Sequence, residues 1–127
     1  MTTRLQFLYT FTPGPRPELA TDPSAWSSAD EEIAASHFTY LEGAVASGTV
    51  LLAGRSQDGV GPAIVILEAA SEQEARDFME KDPFITSGLF GADLHPFRIA
   101  LGSHQSPVPS HQSPVPSHQS PVTSQIR

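Results

Sequence analysis

One histidine and one aspartate carry the chemistry this sequence allows. His37 stands in the stretch 28–47, SADEEIAASHFTYLEGAVAS, on the same face as Ile33, Leu41 and Ala44. Asp82 closes a second helical pattern, where it follows Ala75, Phe78 and Met79 at helical spacing. A carboxylate on an apolar stripe is costly unless it is paired. An imidazole held by a carboxylate has a fixed tautomer and a basicity suited to neutral pH, the combination used for general acid–base work. The same pair can also be a plain structural contact between two helices. Other chemistries find no support. The chain has no cysteine, so it has neither a thiolate nucleophile nor a disulfide. It has no P-loop and no dinucleotide fingerprint. A nucleophile elbow is missing as well. No cofactor and no metal is expected from these residues.

The pair needs a frame that brings two distant positions together. Residues 4–12, RLQFLYTFT, alternate with period two, which predicts a strand with Leu5, Phe7, Tyr9 and Phe11 on one side. Residues 13–27 hold four prolines and read as a loop long enough to be a lid. Trp26, the only tryptophan, is near its end, either as an anchor of the loop or as a wall of a ligand pocket. Ser28 and Glu31 have the spacing of a capping box, and Gly48 stops the helix that follows. Residues 49–54 and 63–69 are two further strands joined by a hairpin with an Asp58-Gly59 turn. Ser71 and Glu74 open the second helix, and Pro83 ends it at Asp82. Residues 84–93 read as a loop with Phe84 and Phe90 turned inward. Residues 94–101 read as the last strand, with Pro96 placing it at an edge.

The order β-α-β-β-α-β is that of an α+β, ferredoxin-like fold: a four-stranded antiparallel sheet with both helices on one face. The strand cores VLL and IVIL are apolar at consecutive positions, so the other face also needs cover. A second copy of the chain, packed sheet to sheet, is the simplest cover, and a homodimer is expected. With the two helices side by side and antiparallel, Asp82 falls near the first half of helix one, which includes His37.

From Ser103 the chain changes character. SHQSPVP, SHQSPVP and SHQSPVT are three tandem seven-residue copies, rich in proline and poor in aliphatic residues. They cannot form a coiled coil and read as a disordered extension of a domain spanning residues 1–102. His104, His111 and His118 recur with the repeat, and their spacing reflects duplication rather than a metal site. Residues 1–102 carry six Lys and Arg against fourteen Asp and Glu, a balance of −8. An acidic domain without a basic stripe argues against nucleic acid and anionic membrane as partners. No apolar run approaches the roughly 20 residues of a membrane span. No signal peptide is legible either, so a cytoplasmic location is the expectation.

Several of these residues, taken in order, form a recognisable set. They are His37-x-x-x-Leu41, Leu52-Ala53-Gly54, Asp82-Pro83-Phe84 with Gly88, and Pro96-Phe97. In this respect the chain, from about residue 4 to 101, resembles the YciI-like (YCII-related) proteins of the dimeric α/β-barrel group. The resemblance implies a ferredoxin-like fold, a dimer, and a pocket centred on a His/Asp pair that maps onto His37 and Asp82. Activities in that family are sparse and lyase-like, including dehydrochlorination of chlorinated hydroxyhydroquinones. Two positions depart from the family pattern. Arg55 stands where a proline is usual, and Ser87-Gly88 where Ala-Gly is usual. The resulting expectation is a cofactor-independent lyase or isomerase for a small cyclic or phenolic ligand. His37 would move the proton, Asp82 would orient it, Arg55, Tyr9 or Ser87 would hold an oxyanion, and Trp26 would line the pocket. The alternative is a non-catalytic dimeric binding or accessory protein in which the pair is structural.

Overall fold

The computed structural model describes residues 4–103. His104, His111 and His118 lie outside the described residues, as does the repeat segment beyond Ser103. The elements are β1 (Leu5–Pro13), α1 (Ser28–Ser47), β2 (Val50–Arg55), β3 (Ala63–Ala69), α2 (Glu72–Glu80), α3 (Pro83–Thr86) and β4 (Phe90–Phe97). The strands make one antiparallel sheet in the order β2-β3-β1-β4. This is the ferredoxin-like α+β arrangement, with one short helix more than the sequence suggests.

Register decides which side chains share a face. Tyr9 pairs with Val65 on one side and Leu94 on the other, and Phe7 with Leu67 and Pro96. Phe7, Tyr9, Val65, Leu67 and Ala69 are buried against Leu41, Ala44, Ala75 and Met79 of the helices. The opposite face carries the row Leu52–Ile66–Leu8–His95, flanked by Ile64 and Phe97. Leu52 and Phe97 are exposed there, at 49 % and 41 %. The helices thus cover one face, and an apolar strip is left on the other.

Three local expectations are corrected. The α1 capping box is Ser27 with Asp30, one residue earlier than Ser28 with Glu31: the Ser27 hydroxyl accepts from the Asp30 N–H and Asp30 accepts from the Ser27 N–H. Both frames fit the sequence pattern, but Asp30 also meets the Arg16 guanidinium at 2.6 Å, a long-range partner that periodicity cannot show. The stretch 84–93 is not a loop throughout, because Asp82 caps the one-turn helix α3 and β4 begins at Phe90. The last strand therefore ends at Phe97, and Ile99 and Leu101 lie beyond it. Pro96 sits within β4, which is an edge strand, where a missing N–H is tolerated.

The proline-rich segment is ordered by its own contacts. Two 3-10 turns, at Pro17–Ala20 and Pro23–Ala25, each begin with proline. Leu19 is buried, and its carbonyl accepts a hydrogen bond from the Trp26 indole at 3.0 Å. At Gly14 the backbone runs against the Gly88–Leu89 link so closely that a Cβ would collide with the Leu89 carbonyl. The loop is thereby fastened at its start to the entrance of β4 and through Arg16 to the first turn of α1.

Candidate active site

The helices place His37 and Asp82 in direct contact. His37 is on the third turn of α1, and Asp82 follows the end of α2 as the N-cap of α3. His37 Nδ1 lies 2.7 Å from Asp82 Oδ1. The same oxygen accepts the Phe84 N–H at 2.9 Å, and Oδ2 accepts the Tyr9 hydroxyl at 2.9 Å. Asp82 is fully buried. A carboxylate is expensive to bury, and partners from α1, β1 and α3 offset that cost.

The network also assigns the histidine tautomer. The Phe84 N–H can only donate, and the Tyr9 hydroxyl donates as well. Burial, reinforced by the Asp82 charge and hydrogen bond, pushes the Tyr9 phenol far above its usual range, so it keeps its proton. With Asp82 as acceptor, Nδ1 of His37 carries hydrogen, and in the neutral ring Nε2 bears the lone pair. Nε2 has no hydrogen-bond partner among the described residues, and no buried side-chain nitrogen or oxygen there lacks one. Nε2 is therefore open to solvent. The ring as a whole keeps 16 % of its side-chain exposure.

Two aromatic rings pack against the imidazole, and two more pack against those. Phe84 stacks on the imidazole, with centroids 3.9 Å apart and planes 19° apart. Phe11 meets its edge at 5.5 Å. Phe90 packs against both Phe11 and Phe84. Trp26 lies 6.0 Å from Phe84 and 6.2 Å from Phe90. It is both an anchor of its loop and an outer wall of this cluster. An accessible ring nitrogen among aromatic faces suits a planar, partly apolar ligand with one acidic proton.

The other anticipated residues fall at varied distances from this centre. Tyr9 is fully buried, and its hydroxyl is committed to Asp82. Arg55 ends β2 opposite Ala63, on the helix-covered side of the sheet. Its side chain is exposed and makes no hydrogen bond or ion pair among the described residues. Ser87 closes α3, where its hydroxyl is within reach of the Phe84 carbonyl and the Leu89 N–H. A separate open groove of about 520 Å³ lies between α1, α2 and β3, lined by Tyr40, Ala44, Glu74 and Phe78 among others. Neither His37 nor Asp82 lines it. The accessible Nε2 beside its aromatic neighbours is the better chemical candidate, because no imidazole lines the groove. Among the described residues, no three His, Cys, Asp or Glu side chains converge as metal ligands. No described helix is long and apolar enough to cross a membrane.

The fold and the sequence both have counterparts. The structure is similar to that of 5-chloro-2-hydroxyhydroquinone dehydrochlorinase (TftG) from Burkholderia phenoliruptrix AC1100, solved in complex with 2,5-dihydroxybenzoquinone. The TM-score is 0.53 at 25% identity, covering 80% of this chain and 100% of that one. No curated protein matches the sequence. The sequence model of the YCII-related domain matches residues 15–94, a span that includes Trp26, His37, Arg55, Asp82 and Ser87 and leaves out Tyr9 and Phe11. With more than half of its length matched, this chain belongs to the YCII-related domain family.

Proposed function

We propose that this chain is a small, cofactor-independent enzyme of lyase or isomerase type acting on a cyclic or phenolic substrate. The observation that carries the reading is the free, accessible Nε2 of His37, on a ring backed by a buried aspartate and packed against Phe11 and Phe84, with Phe90 and Trp26 beyond them. In the neutral ring Nε2 takes a proton from an acidic O–H or C–H of the ligand. The electron pair left behind forms a double bond as a leaving group departs with its own pair, or it recaptures the proton at another atom. Asp82 balances the imidazolium charge that forms in between. Arg55, at the sheet end nearest Phe11, is a cation available to an anionic ligand. An elimination is also what the similar structure's enzyme carries out by name, and its bound dihydroxybenzoquinone is planar, as the aromatic surround requires.

The proposal includes a homodimer. Leu8, Leu52, Ile64 and Phe97, around the already buried Ile66, form an apolar strip on the face that the helices leave open. A second copy, sheet to sheet, would remove the exposed part of that strip from water.

Trp26, the only tryptophan, is a built-in reporter. Titration with 2,5-dihydroxybenzoquinone is expected to quench its fluorescence saturably in the native chain. His37→Ala is expected to weaken that binding while the thermal midpoint stays in place. Equal binding by the variant and the native chain would refute the acid–base reading. The competing reading, a non-catalytic dimeric binding protein with a structural pair, draws on the close stacking of Phe84 over the histidine ring. It requires His37→Ala to lower the thermal midpoint while ligand affinity survives.

A further inference from the structure

Asp82 presents its two oxygens to different sets of partners. Oδ1 serves both His37 Nδ1 and the Phe84 N–H, whereas Oδ2 has Tyr9 as its only partner among the described residues. A turn of the carboxylate about its Cβ–Cγ bond would pull both oxygens off their partners, so the Tyr9 bond to Oδ2 adds to the hold that the two bonds on Oδ1 exert on the plane. Tyr9 is well placed for this, because it sits in the middle of β1 with neighbours on both sides and is fully buried. Its ring is packed at 5.4 Å from Phe11 and 6.4 Å from Phe78, so the hydroxyl has little freedom to move. A phenylalanine would fill the same space. Burying a hydroxyl there is unfavourable unless it is bonded, and Asp82 is the group it bonds.

We propose that Tyr9 is a positioning residue for His37: its hydroxyl holds Oδ2 of Asp82 so that Oδ1 stays on Nδ1 and the lone pair stays on Nε2. The assignment deepens the acid–base reading of the site and rests on it. Tyr9 touches no ligand in this scheme. It acts through Asp82, from a strand that precedes the segment matched by the family.

The test is nitrogen-15 histidine NMR of the full chain and of Tyr9→Phe, at a pH where His37 is neutral. In the native chain His37 is expected mainly as the Nδ1–H tautomer. In Tyr9→Phe the ratio of tautomers is expected to shift toward Nε2–H by about threefold or more, because the free imidazole favours that form and the carboxylate no longer holds its plane. A tyrosine that only packs would change the thermal midpoint and leave the tautomer ratio where it was. An unshifted ratio, or a native chain already in the Nε2–H form, overturns the proposal. Should Tyr9→Phe fail to fold, 3-fluorotyrosine is incorporated in a Tyr40→Phe background, since the chain has two tyrosines. The stronger donor at position 9 is then expected to raise the share of the Nδ1–H tautomer of His37, and an unmoved ratio overturns the proposal equally. Dihydroxybenzoquinone binding by His37→Ala, measured separately, reports on the acid–base reading alone, so the two failures are distinguishable.

Discussion

Replacing Asp82 by alanine removes one acceptor from three donors at once. The Tyr9 hydroxyl suffers most, because it is fully buried and has no other acceptor among the described residues. A stranded buried donor costs about 1–3 kcal/mol. The Phe84 N–H loses its N-cap partner, which adds about 1 kcal/mol. His37 adds little, since its ring keeps 16 % exposure and Nδ1 can turn to water. Asp82→Ala should therefore lower the unfolding free energy by about 2–4 kcal/mol. In a Tyr9→Phe background no hydroxyl is left to strand, so the same replacement should cost only about 1 kcal/mol. The expected coupling between the two positions is about 1–3 kcal/mol. Urea unfolding followed by Trp26 fluorescence, at one fixed chain concentration, measures all four corners of the cycle. A coupling below about 0.5 kcal/mol, the range of additive sites, would mean that the Tyr9–Asp82 bond does not carry the energy assigned to it.

Three other perturbations probe the parts around the site. Gly14→Ala forces a Cβ onto the Leu89 carbonyl, whose carbon is 2.8 Å away, and backbone must move. The urea midpoint should drop by the equivalent of about 1–3 kcal/mol, the usual cost of overpacking, and an unchanged midpoint would mean the loop is not fastened there. Asp30 is held below the usual carboxylate range by the Ser27 N–H first and the Arg16 guanidinium next. With the folded value depressed, its stabilising contribution is complete above the unfolded value of about 3.9 and is lost as the pH falls through the lower folded value. Native chain should thus lose more stability than Asp30→Asn when urea midpoints are followed from about pH 6 to about pH 2, and parallel profiles would contradict the Ser27–Asp30–Arg16 contact. Leu52 is exposed on the open sheet face, so Leu52→Glu should leave the subunit folded. Sedimentation should show the proposed dimer weakened by about tenfold or more, as loss of one buried leucine per subunit implies, and an unaltered association state would move the interface elsewhere.

The His37–Asp82 contact was legible because cost and position agreed. A carboxylate closing an apolar stripe had to be paired, and the order of elements brought one histidine within reach. Tyr9 was legible as a core residue of β1, but not as the partner of Asp82. Period two says which side of a strand a residue faces and nothing about a donor or acceptor 73 positions away. The entrance to β4 was hidden for a different reason. Gly91 counts against a strand by composition, yet it pairs with Thr12, whose Oγ1 would be 2.6 Å from a Cβ at that position. The glycine leaves room for the Thr12 hydroxyl that crosses it, and only the register reveals the neighbour.

The same limit explains the aromatic surround. Phe11, Trp26, Phe84 and Phe90 come from β1, the proline-rich loop, α3 and β4, so no window of sequence shows them as a set. Three of the four border a position of fixed geometry: Phe84 follows the Asp82-Pro83 boundary, Phe90 follows the Gly88 turn, and Trp26 precedes the α1 cap. Side chains beside caps and turns have their directions set by backbone that cannot drift. A ligand site assembled from such positions is held by the ends of its elements, and the Arg16–Asp30 contact ties the loop that leads to Trp26 to the first turn of α1. With that tie removed, Arg16→Ala should speed the binding and release of a planar ligand and leave the His37–Asp82 contact intact. A stopped-flow trace of Trp26 quenching with unchanged rates would show that the loop is not what admits the ligand.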